Sequence, residues 1–246
     1  MRVLGIVPAR GGSKGVPRKS IRRLGGVPLL CYTATAALAA RQLTRVVLST
    51  DDDEIADIGR RAGMEVPFLR PAGLADDAAP MLGVVRHAIE AIEAIDPEPW
   101  DAVCLLQPTV PFRDPTEIDA CVTLLAATGA DCALTVRTIP AEHHPLWAYV
   151  EGPDRTLRLF TGDTEPRTRR QDLPRAYHRD GSVYVTRRDV VMHANSLYGG
   201  RVVGLTMDGE ARVNIDTMAD WARAERLLRD AAVSAAQGAS SGPSGG

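Results

Sequence analysis

Cysteine is scarce in this sequence and nowhere paired. Cys31, Cys104, Cys121 and Cys132 are its four, no two of them form a C-x-x-C, and no histidine stands at a zinc-ligand spacing from them. That argues against a disulfide framework or a metal cluster as the organising device. Cys104 and Cys132, set in apolar runs, are expected to behave as small buried hydrophobes. Net charge is lacking too: 29 Lys and Arg against 31 Asp and Glu leave −2. No global positive field exists to draw in DNA, RNA or an anionic membrane, so any affinity for anions has to be local. No apolar run approaches the roughly 20 residues that span a bilayer. Val3–Pro8 is too short for the apolar core of a signal peptide and no small-residue cleavage site follows it, which makes the cytoplasm the expected compartment. Aromatic residues are few, and Trp100, Trp147 and Trp221 are expected to pack, because no basic groove accompanies them to make a stacking platform for nucleic acid. No internal repeat is present.

What is present is enough chain and enough apolar residues, 45% of 246, to bury a full core in one large domain. Short Val-, Leu- and Ile-rich runs at Val3–Pro8, Val46–Thr50, Val66–Leu69, Ala102–Leu106 and Ala133–Val136 predict strands. Between them Pro28–Arg41, Asp52–Ala62, Met81–Ile95 and Pro115–Thr128 carry apolar residues at helical spacing. Asp52 and Asp114 are placed as N-caps, and Gly63 and Gly129 as C-terminal stops. Apolar strands alternating with helices predict an α/β fold: a Rossmann-like, mostly parallel sheet with helices on both faces. Ligands of such sheets bind outside the carboxyl ends of the strands. The rhythm breaks between about residues 137 and 180, a Pro-rich stretch with two short alternating runs, Leu146–Val150 and Thr156–Phe160. It reads as a small insertion serving as a lid or dimer contact. Strands return at Ser182–Thr186 and Val202–Thr206, and a last amphipathic helix is expected over Thr217–Val233. A single domain therefore spans 1–236, and residues 237–246, rich in Gly and Ser, are expected to be a disordered tail.

Directly after the first strand, Arg10–Ser20 packs four cations (Arg10, Lys14, Arg18, Lys19) and three glycines into eleven residues. Glycine lets a ligand approach the backbone N–H groups, successive N–H groups form a concave anion site, and the cations neutralise a polyphosphate. This is the chemistry of a triphosphate cradle. The loop is neither G-x-x-x-x-G-K-[ST] nor G-x-G-x-x-G. A solvated turn is the plain alternative; four basic residues after a buried strand in a net acidic chain favour the cradle.

The loop resembles the first signature of the acylneuraminate cytidylyltransferases, the enzymes that activate sialic acid and related sugars with CTP. Four further stretches stand in that family's order: Ser49-Thr50-Asp51-Asp52, Arg70-Pro71 with Leu74-Ala75-Asp76-Asp77, Leu105-Leu106-Gln107-Pro108-Thr109, and Asn214-Ile215-Asp216-Thr217. The resemblance runs from residue 1 to about 229 and implies the nucleotide-diphospho-sugar transferase type of fold. It also implies roles. Arg10, Ser13, Lys14 and Lys19, with Gly12 and Ser20 in the same loop, would bind the CTP phosphates, and Arg70 would sit near the cytosine. Gln107 would contact the acceptor sugar, and Arg170 its carboxylate. Asp216, helped by Asn214, would hold a magnesium ion. Arg10, Lys19 and Asp216 are the residues on which catalysis would rest. CTP and a small acidic acceptor are the implied partners, with no nucleic acid and no membrane, and the implied assembly is a homodimer.

The sequence departs from the family pattern at three places. Asn214 replaces the first aspartate of the usual Asp-x-Asp, so it offers an amide oxygen but no charge. Ser20 and Asp180 each stand where asparagine is usual. Adjacent His143 and His144 are not spaced as metal ligands and are expected at a surface or interface. Asp51–Glu54 reads as a strand end running into the acidic first turn of a helix. The expected reaction is attack of an acceptor oxygen on the α-phosphorus of CTP with release of pyrophosphate, the acceptor being a nonulosonic acid. A phosphonate acceptor, a sugar-1-phosphate nucleotidyltransferase and an inactive nucleotide-binding protein are the alternatives.

Overall fold

The structure is a computed structural model that describes residues 1–240 apart from 77 and 208–211, with side chains as far as Ser234. Asp77, at the end of one family-like stretch, and residues 241–246 of the expected tail lie outside the described residues. The chain divides into two compact units, the first comprising Met1–Thr135, Gly181–Leu205 and Gly209–Gly246, the second Val136–Asp180 and Thr206–Asp208.

In the first unit, β1 (Val3–Pro8) is buried along its whole length, as a continuous apolar run demands. A two-stranded ribbon follows, β2 (Arg23–Leu24) and β3 (Val27–Pro28), closed by Gly25 and Gly26. Both glycines have positive φ, 56° and 86°, the requirement of a tight hairpin turn. The Gly-Gly pair between Leu24 and Val27 was the available signal for this ribbon, which the periodicity alone does not predict. Then come α1 (Leu29–Ala39), β4 (Arg45–Ser49), α2 (Asp53–Arg61), α3 (Met81–Glu93), β5 (Ala102–Leu105) and α4 (Pro115–Thr128). Asp52 accepts a hydrogen bond from the Ile55 N–H and Asp114 one from the Thr116 N–H, so both act as the N-caps expected of them. Gly129 ends α4 in the left-handed conformation.

The strand expected at Val66–Leu69 is absent. Glu65 exchanges two backbone bonds with β4 and forms a single bridge; two residues later Pro67, with no N–H to donate, ends the ladder.

β6 (Cys132–Thr138) leads into the second unit, where β7 (Tyr149–Glu151) and β8 (Leu157–Leu159) form a small antiparallel hairpin. The chain returns along β9 (Tyr177–Arg187), then α5 (Arg188–Met192), β10 (Val202–Thr206) and α6 (Met218–Ser240). The last helix runs past its expected end and through residues 237–240, which were expected to be disordered, because the Ala-rich sequence 231–236 has high helix propensity.

The main sheet has the order β10-β6-β9-β5-β1-β4. β1 is parallel to β4 and β5, whereas β9 is antiparallel to β5, so the sheet is mixed, with mostly parallel strands. Odd residues of β1 (Val3, Val7) face a core built from α1, α2 and α4, including Leu30, Ile55, Ile118 and Leu125. Leu4 and Ile6 point the other way by alternation, toward the face where α3 contacts β1 and α5 contacts β5. Ile6 pairs with Val47 on one side and Leu105 on the other. The chain thus leaves β1 for β4 and comes back across it to β5, which makes the carboxyl end of β1 a topological switch point. Among the described residues no helix is long and apolar enough to cross a membrane.

Candidate active site

A cavity of about 320 Å³ opens at that switch point. The end of β1 supplies Pro8 and Ala9, the basic loop supplies Arg10, Ser13, Lys14, Gly15, Lys19 and Ser20, the end of β5 leads into Gln107, Pro108 and Thr109, and Arg70, from the segment after α2, is tied by its N–H to the Thr50 carbonyl beside the end of β4. Asp216, from the connection between β10 and α6, closes it. Residues separated by two hundred positions in the chain therefore share one hollow.

Two sets of contacts hold the basic loop open. The Gly11 N–H donates to Asp51 Oδ1 at 3.1 Å, and the Arg18 guanidinium donates to Asp52 Oδ2 at 2.6 Å and to the Glu54 carboxylate. Burial pushes the Asp52 carboxyl up, but the Ile55 N–H and Arg18 outweigh it and hold the pKa below the usual range. The acidic run Asp51–Glu54 is thus a brace for the cradle as well as a helix start. Arg18, counted among the phosphate-neutralising cations on sequence grounds, serves this brace. The underside of the loop is apolar: Val16 is fully buried with Leu24, Leu29, Val213, Ile215 and Trp221.

That small core also orders the acidic side of the site. In Asn214-Ile215-Asp216 the middle residue is fully buried and its neighbours are exposed, so period-two alternation turns Asn214 and Asp216 the same way. The Ile215 N–H donates to the Thr109 carbonyl at 2.8 Å. Lys19 Nζ donates to the Ile215 carbonyl at 2.8 Å and to Asp216 Oδ1 at 3.1 Å, and Asn214 Nδ2 donates to Asp216 Oδ2 at 3.0 Å. A Cβ on Gly15 would lie 2.1 Å from the Asp216 carbonyl oxygen, so this glycine is required where two backbone segments touch.

Arg70 is 6% exposed. Its Nε donates to Ser49 Oγ at 3.1 Å and its Nη2 to the Ser49 carbonyl. Burial lowers its pKa, Asp51 opposes that, and Arg10 lowers it further; an arginine stays charged through such a shift.

The structure brings Arg10, Ser13, Lys14, Lys19, Ser20, Arg70, Gln107 and Asp216 to one cavity, with Asn214 beside Asp216. Gly12 is not among the lining residues, and a Cβ there would meet nothing within 4 Å. Arg170 lies in the second unit, on the exposed turn Arg170–Asp172. His144, expected with His143 at a surface or interface, is buried within that unit: Nδ1 accepts the Leu146 N–H at 3.1 Å and Nε2 faces the Pro174 carbonyl at 2.9 Å. Leu29 and Met81 line the cavity without having been singled out in the sequence, and Thr109 lines it from the end of the family-like stretch that carries Gln107. A smaller hollow of about 50 Å³ shares Met81 and Gln107 with it and is lined further by Leu105, Tyr184, Leu197 and Tyr198.

Residues 4–202 match the family model described as cytidylyltransferase. This chain belongs to that family. Cytidylyltransferases are nucleotidyltransferases, which is the chemistry a polyphosphate cradle at a switch point suits. Over 93% of its length the chain is 33% identical to a CMP-N,N'-diacetyllegionaminic acid synthase of Legionella pneumophila, covering 97% of that protein. It is 29% identical to a pseudaminic acid cytidylyltransferase of Campylobacter jejuni, covering 93% of this chain and 97% of the relative. An N-acylneuraminate cytidylyltransferase of Escherichia coli is 30% identical over 89% of this chain and half of its own length. Among solved structures, a CMP:2-keto-3-deoxy-manno-octonic acid synthetase complexed with CTP superposes with a TM-score of 0.68 at 18% identity, covering 94% of this chain and 99% of the other. That likeness establishes the nucleotidyltransferase fold in this cytidylyltransferase.

Proposed function

We propose that this cytidylyltransferase transfers CMP from CTP to a nonulosonic acid of the sialic type. The observation that carries the reading is Lys19, in a cavity with Arg10 and Lys14, set 3.1 Å from the exposed carboxylate of Asp216. Cations for a triphosphate thus meet one carboxylate suited to a metal ion. The names of the relatives, which specify diacetyllegionaminic, pseudaminic and N-acylneuraminic acids, support the acceptor class.

In this reaction an acceptor hydroxyl oxygen bonds to the α-phosphorus while the bond to the β-phosphate breaks; pyrophosphate leaves and the hydroxyl proton is released. Arg10, Lys14 and Lys19 hold the β- and γ-phosphates and offset the charge that grows on the leaving group. Arg70, fixed by Ser49, serves the base end. Gln107 serves the acceptor. Orientation and preorganised charge supply most of the acceleration. The donor set fits a hard divalent cation: Asp216 presents carboxylate oxygens and Asn214 an amide beside them. Among the described residues no group of three or more His, Cys, Asp or Glu could hold a metal ion alone, so phosphate oxygens and water would complete the coordination. A magnesium ion held by Asp216 and Asn214 would supply positive charge to the phosphates.

Two further assignments follow. The second unit exposes Tyr149, Leu157 and Phe160 beside one groove, with Leu157 and Phe160 63% and 69% exposed. An apolar patch of that kind marks a contact surface, and a second copy of the chain is its occupant in this reading. The cytoplasm, where CTP is made, is the compartment.

The test is pyrophosphate release from CTP and magnesium over a panel of nonulosonic acids, 3-deoxy sugar acids and phosphonates. Release with a nonulosonic acid is expected. Release with a phosphonate alone would move the acceptor assignment, and CTP binding without release from any acceptor would make the protein an inactive nucleotide binder.

A further inference from the structure

Arg113 stands in the loop between β5 and α4, and its side chain enters the protein interior, where the residue is 6% exposed. Each of its donor atoms reaches a different element. Nε donates to the Ser182 carbonyl on β9 at 2.8 Å, Nη1 to Thr33 Oγ1 on α1 at 3.0 Å, and Nη2 to the Gln107 carbonyl at 2.9 Å. Thr33 and Ser182 are themselves fully buried.

Taking a guanidinium out of water is costly. The guanidinium carries its donors on three separate nitrogens in a fixed plane and so reaches three parts of the fold at once; lysine, whose three N–H bonds leave a single nitrogen, cannot span them. Of the three acceptors, two belong to regular elements already held by their own ladders and helix bonds. The third, the Gln107 peptide, lies just beyond the end of β5, where the strand pairing has stopped. That peptide carries the side chain that lines both hollows of the site. Within its own turn the Gln107 carbonyl also accepts a longer bond, 3.4 Å, from the Val110 N–H; Arg113 is what ties this peptide to β9 and α1.

We infer that Arg113 is a positioning residue for the acceptor end of the site: it fixes the Gln107 peptide against β9 and α1, so that the Gln107 side chain is presented between the two hollows. The nucleotide end is fixed separately, by Asp51, Asp52 and Glu54 on the basic loop. The inference rests on the acceptor role assigned to Gln107 and deepens it.

The two ends predict a split that loss of fold does not produce. In Arg113→Lys, kcat/KM for the acceptor is expected to fall about tenfold or more, since displacements near 1 Å at a reacting centre cost up to ~10²-fold. The CTP dissociation constant, measured by calorimetry, should stay within about twofold of the parent, the residual set by the ordinary additivity of distant sites. In a Gln107→Ala background the same Arg113→Lys change should cost almost nothing further, because the side chain it positions is gone. Equal losses for CTP and acceptor that follow a fall in melting temperature would make Arg113 a general structural residue and overturn the assignment. So would costs that simply add in the double variant. Parent protein that binds CTP but turns over no acceptor would instead sink the proposed function, and this assignment with it.

Discussion

Lys19 and Gly15 show how much of the site depends on single atoms. Lys19 Nζ is held between the Ile215 carbonyl and Asp216 Oδ1, so it is preorganised at the point where the phosphates and a carboxylate would meet. Lys19→Ala is expected to lower kcat by ~10²–10³, the usual loss for one preorganised charge-stabilising donor. The melting temperature should change little, as the ammonium joins one loop carbonyl to the exposed Asp216 carboxylate and belongs to neither apolar core. Steady-state rates close to those of the parent would remove the cradle from the mechanism. Gly15 makes a different demand. Any side chain there collides with the backbone of Asp216, and neither segment has a flexible end that can yield. Gly15→Ala is expected to separate the basic loop from Asp216, lowering turnover and weakening manganese binding in the presence of CTP, followed by the paramagnetic signal of the ion. Unchanged manganese affinity would show that the contact does not shape the metal site.

At the scale of elements, the helix ends were the most legible part of the sequence because each is fixed by one residue's local chemistry. Asp114 accepts from the Thr116 N–H at 2.8 Å and from its hydroxyl at 2.6 Å, and those bonds hold its carboxyl below the usual range. Asp114→Ala is expected to cost about 1 kcal/mol at neutral pH and to lower the melting temperature by roughly 2–4 °C. A depressed carboxyl pKa stabilises the fold above the unfolded value, about pH 4, and the gain is lost as pH falls through the folded value. The deficit of the variant should therefore shrink on acidification below about pH 4. A deficit independent of pH down to pH 2 would show that the cap acts through shape alone. Other elements were less legible for stated reasons. Pro67 cancelled a strand that Val66–Leu69 promised, and the antiparallel sense of β9 is set by where the chain re-enters the sheet, which no local pattern encodes. The bracing of the loop by Asp51–Glu54 joins positions forty residues apart. Periodicity finds each partner and cannot pair them. The cavity itself was legible because its residues follow strand ends; Met81 and Leu29 escaped notice because they sit at helix starts and read as core.

At the scale of the whole molecule, the proposed dimer can be tested directly. If the hairpin β7–β8 and Phe160 form the contact with a second copy, Leu157→Glu combined with Phe160→Glu should turn a dimer into a monomer by light scattering. Binding of CTP to the separate nucleotide cavity should be retained. A parent protein that is already monomeric at micromolar concentration would end the dimer reading. The comparison with known relatives and the sequence reading agree on chemistry for a physical reason. Most of the cavity's cations are written in one contiguous loop, Arg10–Ser20, whereas Arg70, Gln107 and Asp216 reach the cavity from distant parts of the chain.

The touching of Gly15 and Asp216 also makes one mechanical unit of two parts of the chain that lie far apart in sequence. Val16, in the basic loop, shares a small core with Trp221 and Ala224 of α6, so the loop is seated on that helix. A change that loosened α6 would therefore release the loop and the Asp216 carboxylate together.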